Sequence, residues 1–161
     1  LASEAQNTTG IDIEGVEYFP DLVASHSEDV VDYEQNPPAG GPHNAVWQNC
    51  GVYDSPIVNE HAVHSLEHGA VWITYQPDLD PAEVETLAGI TRGSTHRLLS
   101  PFPGIDSPII VSAWGVQLRL ESTDDPRLME FIIAYEQGPT TPEPGAPCVG
   151  GQSLTAEELG Q

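Results

Sequence analysis

The sequence predicts an α+β fold: a single domain with a mainly antiparallel sheet packed by two to three helices, preceded by a long irregular N-terminal segment. Three observations carry that expectation. A chain of 161 residues can bury one real core but not two comfortable ones. Its second half alternates short β-branched and aromatic runs with helix-like stretches that open on Asn or Asp-Pro and close on Gly. Its first half is crowded with turn formers, as in "QNPPAGGPH" at 35–43.

Taken in order, residues 1–10 read as a flexible lead, 11–148 as the domain and 149–161 as a tail. Between 11 and 58 only "VEYFP" and "DVVDY" have the composition of short extended pieces. "NEHAVHSLEH" reads as a helix with Asn59 as N-cap and Gly69 just past its end. "AVWITYQ" follows as a buried strand. "DPAEVETLAGITRG" places Asp80 at an N-cap and Pro81 at the first helical position, where its missing N–H costs nothing. "HRLLSPF" and "SPIIVSAWG" read as strands, and "VQLRLES" alternates apolar with polar as a half-exposed strand does. "DDPRLMEFIIAYEQG" repeats the Asp-Pro helix start. The expected order is α-β-α-β-β-β-α. The Pro/Gly-rich tail has one obvious tether, Cys148.

Composition narrows the function. Acidic residues number 25 against four arginines and no lysine, for a net charge of −21. Such a surface repels nucleic-acid phosphates and anionic membranes and attracts cations. No segment reaches the ~18 apolar residues that span a bilayer. The opening "LASEAQNTTG" is polar and lacks a starting Met, as expected of a mature or trimmed product. Cys50 and Cys148 lie far apart and outside any CxxC pattern, so an exported chain would pair them in a disulfide. The competing assignment makes Cys50 a metal thiolate.

Three of the six histidines fall within "HAVHSLEH". On a helix His64 and His68 stack one turn apart, the spacing that lets two imidazoles hold one ion. His61 flanks the same line. A third ligand must come from elsewhere, and His43 in the side-chain-poor "PPAGGPH" loop is the first candidate, with His26 in reserve. His96 stands isolated, as expected of a histidine that only hydrogen-bonds locally. "HSLEH" also matches H-x-x-E-H, which would make Glu67 a general base beside a zinc ion, with Glu136 or Glu143 as a carboxylate ligand. Against this, the helix should stop one residue past the motif. The only methionine, Met129, sits beside the apolar stripe of the last helix and is the candidate soft ligand that would select copper. The competing assignment returns it to the core.

The segments "NPPAGGPH", "CGVYDSPIVNEHAVHSLEHGAVWITYQP" and "SPIIVSAWG" together resemble a bacterial family of exported or membrane-anchored proteins catalogued as a domain of unknown function. The resemblance runs from about Phe19 to Pro147 and rests on a PPxxGPH … VHxLEHGxV signature. It implies a shared site at His43, His64, Glu67 and His68, keeps His26 in play, and argues against His61. It also implies an extracytoplasmic location.

The sequence therefore points to an extracytoplasmic metal-binding protein that captures, buffers or delivers its ion, copper ahead of zinc. The expected ligands are His43, His64, His68 and Met129, and the expected partners are the metal ion and a metal-receiving protein, without nucleic acid or membrane contact. Two other classes remain: a zinc hydrolase using Glu67, and a metal-free docking module.

Overall fold

The protein is described by a computed structural model covering residues 11–161; the lead at 1–10 lies outside the described residues. Six strands form one sheet: β1 (Glu17–Tyr18), β2 (Gly51–Val52), β3 (Val71–Tyr75), β4 (Arg97–Pro101), β5 (Ile109–Ala113) and β6 (Val116–Leu120). The helices among the described residues are α1 (Asn59–Glu67), α2 (Pro81–Arg92) and α3 (Arg127–Tyr135). The α+β class and the order of the principal elements agree with the sequence.

Sheet order is β1-β6-β5-β3-β4-β2. The β1/β6, β6/β5 and β5/β3 pairs are antiparallel, whereas β3/β4 and β4/β2 are parallel. The parallel β3/β4 pair follows from α2, which supplies the long crossover that parallel neighbours require. β2 was not visible in the sequence because two residues cannot display a periodicity. "DVVDY" forms no strand, and Val30 there is largely exposed.

Side chains alternate across the sheet with period two, so β3 feeds two cores. Val71, Ile73 and Tyr75 join a cluster with Leu87 and Ala88 of α2 and with Leu128, Phe131, Ile132 and Tyr135 of α3. Trp72 points the other way, into a cluster with Ala62, Val63 and Leu66 of α1, Trp114 and Cys148. Helices α2 and α3 thus cover one face and α1 covers the other, which is why "AVWITY" reads as a continuous apolar run.

Local signals mostly hold. Asp80 caps α2 by accepting from the Ala82 N–H (2.9 Å), and Asp125 accepts from the Arg127 N–H (2.9 Å) at the start of α3. Helix α1 differs: Asn59 is its first residue, and Val58 precedes it without a side-chain cap. Gly69 ends α1 at φ 97°, a left-handed turn that also lets the chain after α3 cross closely, since a Cβ there would lie 2.9 Å from Gln137 Cα.

Cys50 and Cys148 form a disulfide with a Cα–Cα distance of 5.3 Å. The tail is tied down by more than this bridge. Gln152 pairs with Gln48, its N–H donates to the Trp47 carbonyl (2.9 Å), and the Ala156 N–H reaches the Pro56 carbonyl (2.9 Å). Gly151 makes this docking possible, because a Cβ there would sit 2.2 Å from the Trp47 carbonyl oxygen. None of the helices among the described residues is long and apolar enough to cross a membrane.

Candidate metal centre

Three segments meet over α1. The proline-glycine loop is buried from Pro37 to Gly41 and held on the β5–β6 turn, where the Gly115 N–H donates to the Ala39 carbonyl (2.7 Å) and Gln117 Nε2 to the Pro37 carbonyl (2.8 Å). It delivers His43. The strand-like piece beside it delivers His26 through a parallel bridge: the Ser27 N–H donates to the His43 carbonyl (2.7 Å), and the His43 N–H to the Ser25 carbonyl (3.0 Å). Helix α1 brings His64 and Glu67 in its last turn and, just past its end, His68. The segment after α3 is strapped across by the Glu143 N–H, which donates to the Glu67 carbonyl (3.1 Å).

Each of the three predicted imidazoles has its Nδ1 bound to a backbone carbonyl: His43 to Gly41 (2.8 Å), His64 to Asn44 (2.6 Å) and His68 to Pro147 (2.7 Å). A carbonyl only accepts, so every Nδ1 carries the proton and every Nε2 is left with a bare lone pair. Those lone pairs converge. His64 Nε2 lies 3.1 Å from His68 Nε2, His43 Nε2 lies 3.2 Å from Glu67 Oε1, and His64 Nε2 lies 3.6 Å from the same oxygen. Glu143 Oε2 stands 3.3 Å from His68 Nε2.

Burial raises the tension. His43, His64, Glu67 and His68 are all buried, while Glu143 is exposed. Burial pulls the His64 imidazole down to about 4, only partly opposed by its bond to Asn44, and the neighbouring imidazoles lower it further. Burial likewise lowers His43. Glu67 is pushed up to about 7, first by burial and then by the Glu143 carboxylate. The centre therefore presents neutral nitrogen acceptors around a carboxyl that resists ionising, which is the electrostatic setting a cation would relieve.

The donor set fits a metal ion. His26, His43, His64 and Glu67 offer atoms all within 4.8 Å of one another, and so do His64, Glu67, His68 and Glu143. With metal–nitrogen bonds of about 2.0–2.1 Å, ligands on a tetrahedral ion stand about 3.3 Å apart. The observed contacts of 3.1–3.6 Å match that edge. The carbonyls at Gly41, Asn44 and Pro147 supply the outer bonds that orient metal-binding histidines.

His43, His64 and His68 are thus brought together, and Glu67 and Glu143 stand among them. Met129 is not. It lies in α3, over the opposite face of the sheet, and is about a third exposed. His61 Nδ1 binds the Val46 carbonyl (2.6 Å). His96 holds the Ala146 carbonyl through Nε2 (2.9 Å), and Glu136 pairs with Arg97 (3.1 Å). Cys50 is in the disulfide, which removes it as a thiolate. Sequence reasoning missed Trp47, whose ring centroid lies 4.9 Å from that of His68 and 5.5 Å from that of His64. Its only signal was proximity in sequence to Cys50.

Fold and site together define a single α+β domain built around a buried His/Glu centre able to hold a metal ion. Residues 25–150 match the family described as "Protein of unknown function (DUF3105)". The chain belongs to that family, in agreement with the resemblance noted in the sequence. No curated protein and no solved structure matches the chain.

Proposed function

We propose that this protein is an extracytoplasmic metal-binding protein that captures a borderline divalent ion and passes it on. The observation that carries this reading is the 3.1 Å approach of two bare imidazole nitrogens, His64 Nε2 and His68 Nε2. Two lone pairs at that distance repel unless a cation or a shared proton lies between them. His43 and Glu67 complete the proposed ligand set. Imidazole and carboxylate donors without a thioether suit Zn²⁺ and Cu²⁺ better than Cu⁺. Copper therefore stays in the proposal as Cu²⁺, beside zinc. The disulfide supports an oxidising compartment, and the −21 charge supports attraction of cations to the surface.

The test is metal content. Protein loaded with Zn²⁺ or Cu²⁺, desalted and analysed by elemental emission should retain at least one ion per chain, and a His64→Ala, His68→Ala double variant should lose the ion those two residues hold. Wild-type protein that keeps no metal after loading refutes the reading. A double variant that keeps as much as wild type places the ion elsewhere.

A further inference from the structure

The centre holds more donors than one ion can use. Four imidazoles and two carboxylates crowd it, and a tetrahedral ion takes four ligands. The donors sort into two overlapping sets. One runs through His26 and His43, the other through His68 and Glu143, and both include His64 and Glu67.

Resting on the metal-binding reading above, we infer that the centre is built for two adjacent cations bridged by the Glu67 carboxylate. His26 and His43 hold the first, and His64, His68 and Glu143 hold the second. His64 can serve only one ion, because its Nδ1 is committed to the Asn44 carbonyl and Nε2 has a single lone pair. Its 3.1 Å approach to His68 Nε2 assigns it to the second. Glu67 has two oxygens and can serve both, with Oε1 already 3.2 Å from His43 Nε2. A shared carboxylate is also what two divalent ions need, because it screens their repulsion at the ~3.5–4 Å spacing of two-metal centres.

His26 is the residue that distinguishes one ion from two. The backbone bridge to His43 fixes its position. Its ring stacks on His64 with centroids 5.3 Å apart at 29° and meets His43 edge-on at 5.1 Å. Among the described residues, neither of its ring nitrogens has a hydrogen-bond partner, unlike those of His43, His64 and His68 that face the carbonyls. A surface histidine with no task would not be clamped beside His43, His64 and Glu67 with its donor atom within 4.8 Å of theirs. His26 and Glu143 are the exposed members of the two sets, so each cation has one donor facing solvent.

Zinc titration of the full chain tests this. After chelator treatment, loading with Zn²⁺ and gel filtration, the wild type should hold two zinc ions per chain. His26→Ala should hold one, and so should His68→Ala. A His43→Ala, His64→Ala, His68→Ala variant measures zinc held by the acidic surface and is subtracted. Wild type saturating at one zinc overturns the two-cation inference and leaves the proposed function standing; wild type holding none overturns both. His26→Ala that still holds two also overturns the inference. Since His26 is exposed, its truncation removes no core packing, and unchanged circular dichroism confirms that the variant is folded.

Discussion

His64 and His68 face one another across 3.1 Å, Nε2 to Nε2, one helical turn apart, with each Nδ1 turned outward onto a carbonyl. Neither nitrogen can donate to the other while both rings are neutral. A ligand that binds only the folded state stabilises by RT ln(1 + [L]/Kd), about 2.7 kcal/mol at a hundredfold excess over Kd. Adding Zn²⁺ at that excess should raise Tm by about 5–10 °C for a domain of this size. Scanning fluorimetry with and without chelator checks this, and the His43→Ala, His64→Ala, His68→Ala variant should not respond.

Glu67 gives the metal-free protein a pH dependence of defined sign. Its carboxyl is held at about 7 in the folded chain against 4.5 as its ordinary value, so the folded state binds the extra proton. The associated stability is complete below pH 4.5 and is lost as pH rises through about 7. His64, held near 4, works in the opposite sense: its contribution is present above its ordinary 6.5 and is lost as pH falls toward 4. Glu67→Gln removes the first effect alone. In chelator, urea melts of this variant should lose the decline in stability between pH 6 and 8 that the wild type displays. A wild-type curve flat across that range would contradict the assignment.

The disulfide acts on the site as well as on the fold. It closes a loop with a separation of 98 residues, and in the chain-entropy model a loop of about that size contributes about 4.7 kcal/mol. Pro147, next to Cys148, also supplies the carbonyl that orients His68. A Cys50→Ser, Cys148→Ser variant should therefore melt lower and bind zinc about tenfold more weakly, in the range found when outer-shell partners of metal ligands are removed. Lower Tm with unchanged zinc affinity would separate the bridge from the site.

Met129 tests the choice of metal. Because it lies over the other face of the sheet, Met129→Leu should leave Zn²⁺ and Cu²⁺ affinities unchanged. A selective fall in Cu⁺ affinity would instead make the thioether a ligand.

Trp47 offers an optical readout. With its ring 4.9 Å from that of His68, Cu²⁺ bound at the centre should quench most of its emission, and Trp47→Phe should remove most of the copper-dependent change. Equal quenching in that variant would point to Trp114, 6.0 Å from His43.

Local chemistry in the sequence carried much of this. The Asp80 and Asp125 caps, the Gly69 terminus and the β-branched runs are written within a few residues, and so is the i, i+4 pairing of His64 with His68. The loop that brings His43 was legible because Pro and Gly restrict a backbone in predictable ways. Glu143 was visible only as a carboxylate of unknown placement, and the parallel β2/β4 edge left no local trace. Trp47 and the three orienting carbonyls were beyond reach, since a backbone carbonyl has no sequence signature.

By itself the sequence determined the elements, the acidity of the surface and the one-turn spacing of two imidazoles, because these depend on residues close along the chain. Only the tertiary structure decided which face of the sheet the site occupies, which left Met129 on the far side. It also decided that His26, His43, Glu67 and Glu143 join the helix pair. Those choices depend on how the loop, the tail and the disulfide close over α1, and such contacts between residues distant in sequence are fixed by packing rather than by local propensity.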